Sequence, residues 1–250
     1  AKKERQIELL QEKRSALISH AVTKGLNLKA KMKDSGIEWL GEIPEHWEVL
    51  RFKYLLTEPL KYGANEVAEL DDPALPRYVR ITDVNDNGTL RDDTFKSLPE
   101  DIAKPYLLTE GDLLFARSGA TVGKTFYYQA SWGRAAYAGY LIRARIDKNK
   151  MLSKFAAYFA RSSNYWNWLS SSFIKATIQN VSAEKYAGLV LGVPPLEEQM
   201  AIANYIDKEA SMIDALTLKL MDSIAKLREY RTALISAAVT GKIDVREEGA

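Results

Sequence analysis

Cysteine is absent from the 250 residues, and only two histidines occur, His20 and His46. The first absence excludes disulfides, thiolate catalysis and cysteine-ligated zinc, and it fits a cytoplasmic protein. The second argues against a histidine-rich metal centre or a Ser-His-Asp triad. No run of about 18 apolar residues occurs, so no membrane span is expected. Charge from Lys2 onward argues against a secretory leader. Two further signatures are missing. There is no glycine loop followed by an Asn-Pro-Pro-aromatic motif of the adenosylmethionine type, and no nuclease-like Asp…Glu-x-Lys cluster.

What is present is ordinary in amount and uneven in placement. Charged residues make up 27% of the chain, with a net charge of only +2, and apolar residues 46%. Residues 1–35 carry nine basic and four acidic groups. From Leu113 to Ala183 ten Lys or Arg face a single acid, Asp147, while residues 36–112 are correspondingly acidic. Such asymmetry suggests a polyanion footprint.

A repeat brackets the chain. Residues 14–23 read Arg-Ser-Ala-Leu-Ile-Ser-His-Ala-Val-Thr, and residues 231–240 read Arg-Thr-Ala-Leu-Ile-Ser-Ala-Ala-Val-Thr. Each copy is followed within two residues by glycine, Gly25 or Gly241. A separation of 217 residues is far beyond the period of a solenoid. The same helix end is used at two equivalent places, which implies a pseudo-symmetric scaffold with a different segment between its repeats. His20 aligns with Ala237, so its imidazole is not needed for the repeat's role.

Periodicity predicts a helix over residues 3–24, with Ile7, Leu10, Leu17, Ile18 and Ala21 near one face. It begins without a capping residue, as the distal part of a longer helix would, so the chain is expected to be a fragment. A connector over 25–49 comes next. Strand candidates are 78–81, 112–117, 124–128 and 137–146, rich in β-branched and aromatic residues. Residues 151–172 read as one helix with Trp166 and Leu169 in its core-facing set. After Pro194-Pro195 a helix can run without Gly or Pro to Thr240. In it Ile206, Ile213, Leu220, Leu227 and Leu234 recur every seven residues and predict a coiled-coil-like packing stripe, although Glu209 and Ser223 interrupt the companion positions. The short N-terminal helix is its expected antiparallel partner. The fold class is therefore α+β, a mixed and mostly-β domain plus long antiparallel coiled-coil-like helices.

Gly119-Ala-Thr-Val-Gly-Lys-Thr125 resembles a phosphate-binding P-loop but is one residue short and leads into an aromatic strand. It reads better as a glycine-rich hairpin presenting Arg117, Ser118, Thr121 and Lys124, all able to contact phosphates or base edges. Basic and amide groups interleave with aromatics over 161–180, where Lys175, Gln179 and Asn180 follow the helix. Arg80 and Arg134 complete the candidate DNA-contact set. His46, beside Trp47, reads as structural. Two rival readings are an enzyme, either a methyltransferase or a nucleotide hydrolase using residues 118–125, and a protein-only coiled-coil scaffold.

Several phrases then converge: Ile-Glu-Trp-Leu-Gly-Glu-Ile-Pro-Glu-His-Trp at 37–47, Tyr-Val-Arg-Ile-Thr-Asp at 78–83, Gly-Asp-Leu-Leu-Phe-Ala-Arg-Ser-Gly-Ala-Thr-Val-Gly-Lys at 111–124, Gln-Asn-Val-Ser-Ala-Glu-Lys-Tyr at 179–186 and Pro-Pro-Leu-Glu-Glu-Gln at 194–199. In this order, and with both repeat copies, they resemble the specificity subunit of type I restriction-modification systems over nearly the whole chain. In that family target recognition domains alternate with conserved spacer helices, two of each in a complete subunit. The resemblance implies a C-terminal half or a half-subunit: the distal part of one spacer helix and a connector (1–35), one target recognition domain (36–193) and a whole second spacer helix (194–250). It implies sequence-specific recognition of one half-site of a bipartite double-stranded DNA target, with no catalysis in this chain. The implied partners are methyltransferase subunits and restriction/translocase subunits, which would carry S-adenosylmethionine, ATP and Mg. A self-dimer or a second specificity half is implied as well.

Overall fold

The computed structural model describes residues 2–85, 88–173 and 180–243. Their elements are, in order, α1 (Lys2–Lys24), β1 (Met32–Asp34), β2 (Glu42–Pro44), β3 (Glu48–Arg51), β4 (Lys61–Tyr62), β5 (Arg77–Val79), α2 (Glu100–Ala103), β6 (Leu113–Ala116), β7 (Thr125–Tyr127), β8 (Ala135–Tyr137), β9 (Leu141–Ala144), α3 (Ser153–Phe159), α4 (Ser163–Phe173), α5 (Ala183–Ala187), β10 (Val190–Val193) and α6 (Leu196–Val239). The mixed helix-and-strand class read from the sequence is the class observed. Two compact units form: a larger one from residues 18–204, and a smaller one from 1–17 with 205–250.

The larger unit is built around a four-stranded antiparallel sheet in the order β4-β9-β6-β7. Its central strand β6, Leu113-Leu114-Phe115-Ala116, is buried on both faces, which is why it reads as a continuous apolar run rather than an alternation. Leu114 and Ala116 pack with Val79, Phe126, Tyr137 and Leu141. On the other face Phe115 meets Phe52, Tyr165 and Tyr186, with ring centroids 5.8, 6.5 and 4.6 Å away. β5 and β8 pair in parallel, β3 pairs with β10, and β1 with β2.

Three sequence expectations are corrected here. The connector 25–49 holds the β1–β2 hairpin and the start of strand β3. The run 137–146 is two strands, because the chain turns at Ala138–Tyr140, where the Leu141 amide donates to the Ala138 carbonyl at 2.8 Å. β8 leaves to pair with β5 while β9 enters the large sheet. The helix 151–172 is broken by buried Ser162, whose hydroxyl donates to the Phe159 carbonyl (2.7 Å) and accepts from the Tyr165 amide (3.3 Å). A serine hydroxyl that binds local backbone in this way ends one helix and caps the next. The break rotates the second helix, so Tyr165, Trp168 and Leu169 face inward and Trp166 is 40% exposed.

In the smaller unit the two helices run antiparallel. Glu4 pairs with Arg228 at 2.8 Å and Arg14 with Asp214 at 3.5 Å, so sequence numbers rise on one helix as they fall on the other. The protected residues of α6 include Ile206, Ala210, Ile213, Thr217, Leu220 and Ile224, spaced four and three apart. Four positions after the heptad residues, Ala210 is buried and Thr217 and Ile224 are half-buried; three positions after them, the polar Glu209 and Ser223 are half-buried too. Leu227 and Leu234 are exposed. Glu4 in the first turn of α1 stands opposite Arg228.

Candidate nucleic-acid interface

The connection from β6 to β7 carries Arg117, Ser118, Thr121 and Lys124, and it is fixed at both ends from beneath. The Tyr186 hydroxyl donates to the Ala116 carbonyl at 3.2 Å, and the Tyr165 hydroxyl donates to the Gly123 carbonyl at 2.7 Å. Both phenols are buried, which pushes Tyr186 up to about 12 and Tyr165 well above its ordinary value. They therefore remain protonated donors across the physiological range. Between these anchors the loop folds on itself through Val122 N–H to Gly119 O (3.1 Å) and Lys124 N–H to Thr121 O (2.9 Å). Gly123 has φ +82°, and a Cβ there would lie 2.0 Å from Leu169 Cδ2, so only glycine lets the loop close onto α4. The loop feeds strand β7 directly, so its amides lack the helix N-terminus on which a P-loop depends.

Arg117 is held most tightly. Its amide donates to Tyr140 O at 3.0 Å, and its carbonyl accepts from Val181 N–H at 2.8 Å. Its guanidinium lies over the Tyr62 ring, 4.7 Å from the centroid. Tyr62 sits on the edge strand β4, is 40% exposed, and accepts the Ala183 amide at its hydroxyl (3.0 Å). Ser118 is bridged to Asn180, which brings Asn180 against the hairpin. The result is a rim of Tyr62, Arg117, Ser118, Thr121, Tyr140 and Asn180, with exposed Trp166 against the Gly123 side of the loop. Among the described residues no carboxylate pairs with Arg117. Lys175 and Gln179 lie outside the described residues.

The other two candidates stand apart from this rim. Arg80 grips buried Asp83 with two contacts, Nε–Oδ2 3.0 Å and Nη2–Oδ1 2.8 Å, and also donates to Thr94 O at 2.7 Å. Arg134 pairs with Glu100 of α2. The basic run of the sequence is likewise spent in part on acids from the preceding region. Arg143 and Arg145 share Glu58 (2.7 and 3.1 Å), and Arg145 clasps buried Asp112 (2.9 and 2.8 Å). Folding thus neutralises several of the ten cations, and the rim keeps Arg117. His46 reaches Glu198 at 2.7 Å, and the Trp47 indole donates to the same carboxylate at 3.2 Å, a link that ties the β2–β3 turn to the start of α6. Sequence reasoning missed Tyr62, which sits in no motif. It also misassigned Trp166, which only the helix break at Ser162 reveals.

Among the described residues no group of three or more His, Asp or Glu is placed to hold a metal ion, and no helix is long and apolar enough to cross a membrane. Comparison with known proteins returns one family. A model described as the type I restriction modification DNA specificity domain matches residues 52–225. The EcoKI specificity subunit of Escherichia coli (strain K12) is 26% identical over 214 residues, covering 81% of this chain and 44% of that protein. The MjaVIII specificity subunit of Methanocaldococcus jannaschii is 24% identical, covering 97% and 56%. Among solved structures, an HsdS subunit from Thermoanaerobacter tengcongensis shares the fold with a TM-score of 0.59 at 16% identity, covering 96% of this chain and 53% of that one. The chain spans about half the length of the curated relatives it matches.

Proposed function

Because the chain belongs to the type I restriction-modification DNA specificity family, we propose that its larger unit reads one half-site of a bipartite duplex target and directs partner methyltransferase and restriction subunits to it. The observation that carries this reading is the anchored hairpin. It carries Arg117, Ser118, Thr121 and Lys124, brings Ser118 beside Asn180, and is held at its ends by two buried phenols. Cationic side chains supply the sequence-independent grip on phosphates, and the amide and hydroxyl groups inspect base edges. The chain itself binds. Methyl transfer and cleavage, with the methyl donor, ATP and Mg they need, fall to the partners, and the work takes place with the DNA in the cytoplasm.

The domain boundaries follow the same division, with recognition over 36–193 and spacer helices before and after it. At 44 residues α6 is about 66 Å long, enough to set a fixed distance between two reading units. The exposed Leu227 and Leu234 continue the buried seam and suit a further subunit or a second specificity half.

The test is a salt titration of duplex binding by the full chain. Affinity falls steeply with salt, and Lys124→Ala lowers the slope of log K against log salt by about one. No duplex affinity at low salt would contradict the reading and favour a protein-only helical scaffold.

A further inference from the structure

We infer that Arg117 is the base-reading residue of this rim, that it reads guanine through its major-groove edge, and that Tyr62 is the positioning residue that aims it. The inference rests on the DNA reading above and adds to it which group chooses sequence and which base it chooses. A guanidinium carries its five N–H donors in the molecular plane, and its faces carry none. With its carbon 4.7 Å from the Tyr62 ring centroid, the guanidinium has that ring supporting one side, and its N–H donors need not be spent on the ring. The backbone of Arg117 cannot shift to follow a ligand, since its amide and carbonyl are both tied, to Tyr140 and Val181. Tyr62 is itself fixed, through its hydroxyl, to the first residue of α5. A planar fork held at both its root and its face suits a partner of fixed geometry. Guanine offers two acceptors, N7 and O6, at the spacing of that fork, and arginine on guanine is the commonest specific contact in the major groove.

The neighbours divide the work in the same way. Ser118 and Asn180, bridged to each other beside Arg117, carry hydroxyl and amide groups that suit base edges. Lys124 stands at the far end of the loop, and an ammonium suits phosphate, which needs a charge and tolerates a range of positions. Arginine and lysine are therefore not interchangeable at position 117, although both keep the charge.

The experiment is selection of bound duplexes from a pool randomised over a stretch of base pairs, followed by sequencing. It uses the full chain and the variants Arg117→Lys, Tyr62→Leu and Tyr62→Phe. The wild type selects a motif with an invariant guanine. Arg117→Lys keeps binding duplex but loses about tenfold or more in discrimination at that one position. Tyr62→Leu relaxes the same position although Arg117 is present, and Tyr62→Phe, which keeps the ring but loses its hydroxyl tie to Ala183, falls between Tyr62→Leu and the wild type. A uniform loss of affinity across all sequences in Arg117→Lys overturns the inference and leaves the DNA reading standing, since a phosphate contact behaves that way. A position that relaxes but selects a base other than guanine also overturns it. A wild-type chain with no duplex affinity overturns the DNA reading and this inference together.

Discussion

Single residues here divide into those that hold and those that reach. Arg80, Arg134, Arg143 and Arg145 all read from the sequence as members of a basic, DNA-facing population, yet each meets a carboxylate. No sequence signal separates them from Arg117, because the acids they meet lie at quite different distances along the chain, from Asp83 three residues after Arg80 to Glu58 at 85 before Arg143. Pairing of this kind depends on strand register, which composition does not encode. The same contacts predict the response to pH. Hydrogen bonding from Lys61, and then the charges of Arg143 and Arg145, hold the Glu58 carboxyl below its ordinary value. A depressed carboxyl stabilises the fold above its unfolded value of about 4.3, and that contribution is lost as pH falls through the folded value. At the alkaline end Tyr137 and Tyr186 are raised by burial to about 12. Their contribution is complete below about pH 10, the unfolded value, and is lost as pH climbs toward 12. Denaturant midpoints measured across pH should show a plateau that falls off below about pH 4 and again above about pH 10. Glu58→Gln flattens the acid limb, and an unchanged acid limb in that variant contradicts the assignment.

The elements were legible where their periods were long. α1 and α6 were found within a residue or two of their observed ends, because a 3.6-residue stripe sustained over many turns leaves little ambiguity. The strand candidates 78–81, 112–117 and 124–128 likewise fall on β5, β6 and β7, whereas the 137–146 run, read as one strand, is divided between two. An unbroken β-rich stretch cannot announce a turn that is enforced by pairing elsewhere. The repeat was read correctly as a helix end used twice, and the structure gives it physical content. Both copies end in a glycine of positive φ, Gly25 at +75° and Gly241 at +69°, and in both a threonine hydroxyl donates four residues back, Thr23 to Ser19 (2.6 Å) and Thr240 to Ser236 (2.7 Å). Their surroundings differ: Val22 is fully buried, whereas Val239 is 82% exposed. Replacing each with lysine isolates that difference, because both stand near a helix C-terminus where a cation is favourable. Val22→Lys should cost about 3 kcal/mol or more in denaturant unfolding, and Val239→Lys less than about 0.5 kcal/mol. Equal costs would show that the second copy is already covered in the isolated chain.

At the scale of the molecule, a net charge near zero hides a division of labour. Two of the acidic residues before Leu113, Glu58 and Asp112, brace the sheet from which the cationic hairpin projects. The family was legible because its phrases fall at the structural joints: the β1–β3 segment, the β6–β7 hairpin, the α5 entry and the start of α6. The rim was legible only in half, since the hairpin has a motif and Tyr62 has none. The central claim is that this chain chooses the DNA site and other proteins act on it. The most direct measurement is to supply the chain to methyltransferase subunits of its own system and map the methylated bases on genomic DNA. The account predicts modification at one recurrent bipartite motif, with loss or change of one half when Arg117 is replaced. Modification at the same sites without the chain, or sites indifferent to Arg117 and Lys124 together, would contradict it.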